Sequence, residues 1–248
     1  MAVYRLFTIY LLEMSLYDDI VSDVSTVINT TWKKGNGNKI PSTSDIALAG
    51  GAVEIDATYL YTDLADSSKI AKEFDRRIAA KIFKSFHSTS CRLIREHGGE
   101  ILSFDGDRVL AVFYGDSKNT NAANCALKIN YVVTKVIRPK FENKYDVVRD
   151  AGFKISHGTG IDTGTVLIIR AGVRGSNDLV SLGRGPNLAA KLSDLRNARS
   201  YITSAVYKSM HESVRLGGSP KQEMWESRSW EFLGEKMTIY RSSWLRKP

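Results

Sequence analysis

The chain has 248 residues, enough for one large domain or two small ones, and its 43% hydrophobic and 25% charged content is that of an ordinary soluble globule. A formal charge of +8 suits a site for polyanions such as nucleoside triphosphates and equally suits solubility; with no long Lys/Arg run and no aromatic-interleaved basic motif, nucleic acid is not an expected partner. Cys91 and Cys125 fall among apolar neighbours in helical patterns and read as buried free thiols of a reducing cytoplasm.

Met1 to Met14 is rich in Leu, Ile, Phe and Tyr but is interrupted by Arg5 and Glu13. It is too short to span a bilayer and lacks the small-residue cleavage pattern of a signal peptide, so it reads as a docking or dimer-facing segment and no membrane is expected. Leu16, Ile20, Val24, Val27 and Ile28 predict a helix over Ser15 to Trp32, stopped by Lys33-Lys-Gly-Asn-Gly-Asn-Lys39. Pro41-Ser-Thr-Ser-Asp45 extends the loop to about residue 48. This divides the chain into an N-terminal helical segment and loop, 1–48, and a main domain, 49–248.

Gly51 to Tyr61 predicts a strand that ends near Asp56, followed by a long helix carrying Ile70, Phe74, Ile78, Ile82, Phe86, Leu93 and Ile94. His97-Gly-Gly99 ends that helix. Gly99 to Phe113 then reads as a hairpin turning at Asp105-Gly106, with Asp107 at its tip. A helix from about Asn121 to Ile137 is stopped by Arg138-Pro139. Gly152 to Asp162 and Thr165 to Ala171 predict two strands joined by an Asp162-Thr-Gly164 turn. Leu179 to Leu182 is a strand leading through Gly183-Arg-Gly-Pro186 into a helix with Leu188, Leu192 and Leu195. Ser200 to Thr203, Ser204 to Glu212, Trp230 to Leu233 and Met237 to Tyr240 complete the order as strand, helix and two strands. The class is α+β, with helices over a mostly antiparallel sheet. Neither the GxGxxG turn of a dinucleotide fold nor a Walker lysine is present.

Asp56 and Asp107 are the candidate chemical pair. Carboxylates on neighbouring strands hold hard divalent cations, and such ions activate an attacking oxygen and neutralise a triphosphate. Two solvated turn aspartates fit the same spacing, which leaves both readings open.

Four pieces, Val-Glu-Ile-Asp56-Ala, His97-Gly-Gly-Glu-Ile-Leu-Ser-Phe-Asp-Gly-Asp107-Arg-Val-Leu-Ala-Val-Phe, Gly158-Thr-Gly-Ile-Asp-Thr-Gly164 and Gly183-Arg-Gly-Pro-Asn187-Leu-Ala-Ala-Lys191-Leu, resemble in order and spacing the class III nucleotidyl cyclase catalytic domain. The resemblance covers roughly 50 to 240. It implies a palm-like βαββαβ domain with an antiparallel-rich sheet, preceded here by the N-terminal helical segment. It further implies a head-to-tail homodimer with composite active sites and two Mn²⁺ or Mg²⁺ ions per site.

On this resemblance Asp56 and Asp107 match the metal aspartates, and the Ala57 carbonyl falls where the family uses a backbone ligand. Asn187 matches the residue that orients the ribose. Lys191 stands one helical turn on, where most members have Arg; Lys keeps the charge and loses the bidentate fork. Lys236 is the candidate for the phosphate-pairing lysine. The two positions that read a purine in the family are Ser103 and Val180, and neither purine code is present.

A smaller base draws its partners from further inside, with Tyr59, Tyr61 and Arg108 as suppliers, Arg being a donor for the oxygens of uracil, and Leu60 between the tyrosines as a further nucleotide-binding candidate. The stretch Ile40 to Val53 and the following Tyr59 to Ser68 resemble the pyrimidine cyclases of bacterial anti-phage (Pycsar-type) systems. That resemblance implies conversion of UTP to cyclic UMP in the cytoplasm as an antiviral second messenger, with a downstream effector for the product. A cytidylate cyclase, a purine cyclase with an atypical base pocket, and a nucleotide-sensing module without chemistry are the alternatives.

Overall fold

The computed structural model describes residues 2–173 and 175–248, with side chains from Leu16 onward. The docking role expected of Met1 to Met14 lies outside the described side chains. The chain divides into two compact units, 1–54 with 167–180, and 55–166 with 181–248. Among the described residues no helix is long and apolar enough to cross a membrane.

In the first unit, α1 (Ala2–Asn29) is followed by β1 (Lys33–Gly37). Its Lys33 N–H donates to Gly50 O, and Lys34 pairs with Glu54. The expected loop is therefore a strand paired with the start of β2 (Gly51–Ala65).

The second unit begins inside β2. Asp56 is in mid-strand rather than at a strand end, because the chain remains extended as far as Ala65. Two helices follow, α2 (Ser67–Glu73) and α3 (Arg76–Glu96), separated by Phe74 and Asp75, with the Asp75 carboxylate accepting from Arg77 N–H. The hairpin forms as expected from β3 (Glu100–Asp105) and β4 (Arg108–Phe113), with Gly106 at φ +59° supplying the left-handed turn residue. Its register slips once between Ile101 and Ser103, a bulge on the outer strand.

Helix α4 (Lys118–Val132) does not stop at Arg138-Pro139. It widens into a π turn, Val133–Ile137, and resumes as α5 (Arg138–Lys144), which ends at the extended Tyr145; the single turn α6 (Asp146–Arg149) follows. Pro139 lies just past the π turn, in the first turn of α5.

The turn expected at Asp162-Thr-Gly164 is absent, since β5 (Ser156–Val173) runs straight through it. The remaining elements are β6 (Ser176–Leu182), α7 (Arg184–Ser193), β7 (Ser200–Thr203), α8 (Ser204–Ser209), α9 (Glu212–Arg215), the short pair β8 (Leu216–Gly217) and β9 (Gln222–Glu223), and the hairpin β10 (Glu226–Phe232) with β11 (Glu235–Ser242).

The main sheet has the order β10-β11-β7-β5-β2-β4-β3, with only the β5–β7 pair parallel among the pairings that have a described register. Alternation along the strands separates two faces. Leu60, Leu64, Val109, Ala111, Phe113, Ile161 and Ile202 point to one face and pack with Ile82, Phe86 and Ile94 of α3 and Ala126 and Ile129 of α4 in one core. The other face carries α7. It approaches β5 so closely that a Cβ on Gly160 would stand 2.1 Å from Ala189 O, and one on Gly158 would stand 2.1 Å from Ser193 O.

His157 lies on the helical side against Phe86, fully buried, and neither ring nitrogen has a hydrogen-bond partner. Burial first, then the charges of Arg199, Arg196 and Arg138, push its pKa down to about 3.

Two outcomes are expected in equilibrium unfolding. Gly160→Ala forces the backbones apart and lowers stability by about 1–3 kcal/mol, measured by urea denaturation with intact far-UV CD. His157 is neutral in the fold, whereas the unfolded chain takes up its proton near the ordinary value of 6.5. Stability is therefore complete above about pH 6.5 and falls by up to about 1.4 kcal/mol per pH unit as acid is added. His157→Phe flattens that slope between pH 5 and 7.

Candidate active site

The register of β2 against β4 determines which side chains meet. Thr58 lies opposite Phe113, Tyr61 opposite Leu110 and Asp63 opposite Arg108. Just beyond, Leu64 N–H donates to Asp107 O at 3.3 Å, which brings the hairpin tip to the end of β2 beside Asp63. Asp56 is eight residues from Leu64 along an extended strand, roughly 26 Å. Asp56 and Asp107 therefore do not meet. Asp56 Oδ2 accepts instead from Lys118 Nζ at 2.8 Å, and the Ala57 carbonyl accepts from Thr163 Oγ1 at 3.3 Å. The carboxylate beside Asp107 is Asp63.

Asp63 is 2% exposed. Its Oδ2 accepts from Arg196 Nη2 at 2.5 Å, while Oδ1, buried and without a hydrogen bond, stands 3.7 Å from Arg108 Nε. Burial raises its pKa to about 6; the Asp107 carboxyl adds to the rise and Arg196 opposes it. A cleft of about 380 Å³ opens here, lined by Asp63, Asp107, Arg108, Arg196, Lys69 and the first residues of α2. Among the described residues no group of three or more His, Cys, Asp or Glu could enclose a metal. Two carboxylates on an open cleft are instead the donor set of a magnesium-type ion, which takes one or two carboxylates and completes its shell with phosphate and water. The orphaned Asp63 oxygen fits that group.

Helix α7 is fastened at both ends. Arg184 Nε lies 3.8 Å from Asp162 Oδ2, a buried carboxylate whose Oδ1 accepts from Thr203 Oγ1 at 2.6 Å. At the other end Arg108 Nη2 donates to Asp194 Oδ1 at 2.8 Å. Between these ties Asn187 and Lys191 share one exposed face, a helical turn apart, and the Asn187 amide donates to Gly183 O at 3.3 Å. Neither lines the Asp63 cleft of its own chain.

The other expected residues separate. Tyr61 is half-buried on the face shared by Asp63 and Arg108, its phenol pushed up by burial and by the Asp105 charge, with Arg108 opposing. Ser103 is exposed on the same face, opposite Leu110. Tyr59 is fully buried, its ring beside Gly185 and its hydroxyl donating to Ser181 Oγ at 2.9 Å, so it packs α7 rather than facing a ligand. Leu60 points to the opposite face and belongs to the core. Val180 is 39% exposed and belongs to the first unit. Lys236 is exposed on the β10–β11 hairpin, opposite Glu231, three strands from β2.

Asp63 and Arg196 escape a reading by spacing. The available signal is an acidic residue inside the otherwise uncharged run Ala57 to Ala65, where burial leaves a lone carboxylate needing partners.

No family model matches the chain. A uridylate cyclase from Rhodovulum sp. (strain MB263) is 56% identical over 95% of this chain and 99% of its own length. Uridylate cyclases from Xanthomonas perforans and Burkholderia cepacia are 37% and 36% identical, each over 93% of this chain and 98% of theirs. Among solved structures, an adenylyl cyclase from P. aeruginosa superposes with a TM-score of 0.65 at 17% identity, over 77% of this chain and 95% of that one. A guanylyl cyclase does so with a TM-score of 0.64 at 17% identity, over 79% and 95%. The structural likeness shows the class III cyclase fold. Sequence identity over nearly the full length of its relatives narrows this further: the chain belongs to the uridylate cyclase family.

Proposed function

We propose that this protein converts UTP to 3′,5′-cyclic UMP and pyrophosphate at the cleft between β2 and β4, within residues 49–248. The observation that carries the site is the buried Asp63 carboxylate, with one unpaired oxygen, beside Asp107. The uracil preference rests on the relatives' names, and a role in antiviral signalling through a downstream effector rests on the resemblance alone.

Asp63 and Asp107 would hold one or two divalent ions, Mn²⁺ or Mg²⁺, which supply charge neutralisation of the triphosphate and acidify the ribose 3′-hydroxyl. In the reaction the 3′-oxygen bonds to the α-phosphorus, the bond to the β-phosphate oxygen breaks, pyrophosphate departs and the hydroxyl proton passes to solvent. Lys69, Arg108 and Arg196 line the cleft and offer cationic donors to phosphate oxygens. Tyr61 and Ser103, on the same sheet face, are the candidates that meet the base.

Asn187 and Lys191 are exposed and do not line their own cleft, so their roles, ribose orientation and stabilisation of charge on the α-phosphate, are assigned to the cleft of a second copy in a twofold dimer. Lys236 joins them as a candidate phosphate contact.

Each of the four ribonucleoside triphosphates is incubated with the protein and Mn²⁺ or Mg²⁺, and products are identified by mass spectrometry. Cyclic UMP is expected; a cyclic purine nucleotide, or no product, sinks the proposal. Asp63→Asn and Asp107→Asn each lower turnover more than a hundredfold, on the order of one lost electrostatic catalytic group, whereas Asp56→Asn leaves it within a few-fold. Asp63→Asn and Lys191→Ala, each inactive alone, recover about a quarter of wild-type activity when mixed, because random exchange gives half heterodimers with one intact site each. Absence of recovery, with subunit exchange demonstrated, excludes the composite site.

A further inference from the structure

Helix α3 carries a second stripe beside the one that faces the core. Arg76, Ala80, Phe83, Lys84 and His87 recur at three- and four-residue intervals, and together with Phe104 of β3 they line a groove of about 790 Å³. That volume lies in the range of small-molecule sites. Three observations define its chemistry. Phe104 is 58% exposed although it is a large aromatic residue, and it meets His87 edge to face at 5.6 Å, with Phe83 edge-on to the same imidazole at 6.5 Å. The His87 Nε2 atom is buried and has no hydrogen-bond partner. Finally, Lys69, Arg77 and Arg149 have acidic partners, whereas Arg76 and Lys84 at the rim form no ion pair among the described residues.

An apolar floor edged by aromatic rings, one orphaned ring nitrogen and two unneutralised cations complement a flat organic body bearing an anionic group. The groove and the cleft draw residues from the same hairpin. Phe104 lies on the hairpin that carries Asp107, three residues before it, and the Asp107 carbonyl is hydrogen-bonded to β2 beside Asp63.

We propose that the α3–Phe104 groove is a regulatory site for an aromatic organic anion, whose binding steadies the β3–β4 hairpin and with it Asp107. The binding site is independent of the cyclase reading; its regulatory meaning rests on that reading.

The test uses 8-anilino-1-naphthalenesulfonate as probe on the full chain. Fluorescence titration is expected to show one saturable site per chain. Ala80 is exposed, so Ala80→Trp fills the groove without disturbing the core and abolishes binding, while Lys84→Glu weakens it roughly tenfold. Hydrogen exchange of the Glu100–Phe113 amides slows when the probe is bound to wild type and is unchanged in Ala80→Trp. Probe binding that survives Ala80→Trp, or no saturable binding, overturns the site. Binding that leaves exchange of the hairpin unaltered overturns the coupling. Neither readout requires turnover, so a failure here is distinguishable from a failure to make cyclic UMP.

Discussion

A carboxylate withdrawn from water loses hydration worth several kcal/mol, and a fold that keeps one must supply compensating charge. Asp63 stands in that position at the end of β2, and most of the surrounding arrangement follows from how it is compensated. Arg196 takes one oxygen, Arg108 approaches the other without a hydrogen bond, and Asp107 adds a second negative group where a third cation is wanted. Both arginine side chains are about a third exposed, so solvent screens part of their attraction. The pair of carboxylates is thus undercompensated by the protein itself, which is the electrostatic condition for taking up a hard cation with its phosphate ligands.

The same arginines carry the constraint outward. Arg108 holds Asp194 at the far end of α7, and Arg196 follows that helix in the chain. With Arg184 near Asp162 at the other end, and Gly158 and Gly160 letting the helix lie directly on β5, α7 has little freedom to rotate. Its outward face therefore presents Asn187 and Lys191 in a fixed orientation. A side chain larger than glycine under the helix would loosen the presentation before it reached the chemistry.

Local patterns revealed much of this and misplaced a decisive part. The Asp105-Gly106 turn, the β3–β4 hairpin and α7 follow from turn chemistry and helical spacing, and Asp107 was legible at the hairpin tip. The partner of Asp107 was not, because spacing does not say where a strand ends. Val53 to Asp56 and Tyr61 to Asp63 are equally extended, and only pairing with β4 shows that the strand continues past Asp56 to Asp63. Asp162-Thr-Gly164 has turn composition, yet it lies inside the continuous strand β5, where tertiary context overrides local preference. Tyr59 and Tyr61 look alike in sequence. Two residues apart on one strand they share a face, and only the position of α7 decides that the first is sealed beneath it while the second stays open. Lys33 to Gly37 read as a helix stop and loop; α1 does end before them, at Asn29, but they themselves form strand β1.

The path of the main sheet from β10 to β3 ends on two outer strands of different character. On one side β3 is short, interrupted by the bulge between Ile101 and Ser103, and bounded by Glu100 and Asp105. On the other, β10 bears Glu226, Arg228 and Glu231, with Glu226 engaged by Arg228 and Arg241. Unpaired backbone groups at such margins are open invitations to another strand. A bulged strand at one border and charged side chains along the other decline them both. Neither end of the β10-to-β3 path therefore presents a flat, unguarded edge to a strand of a neighbouring molecule.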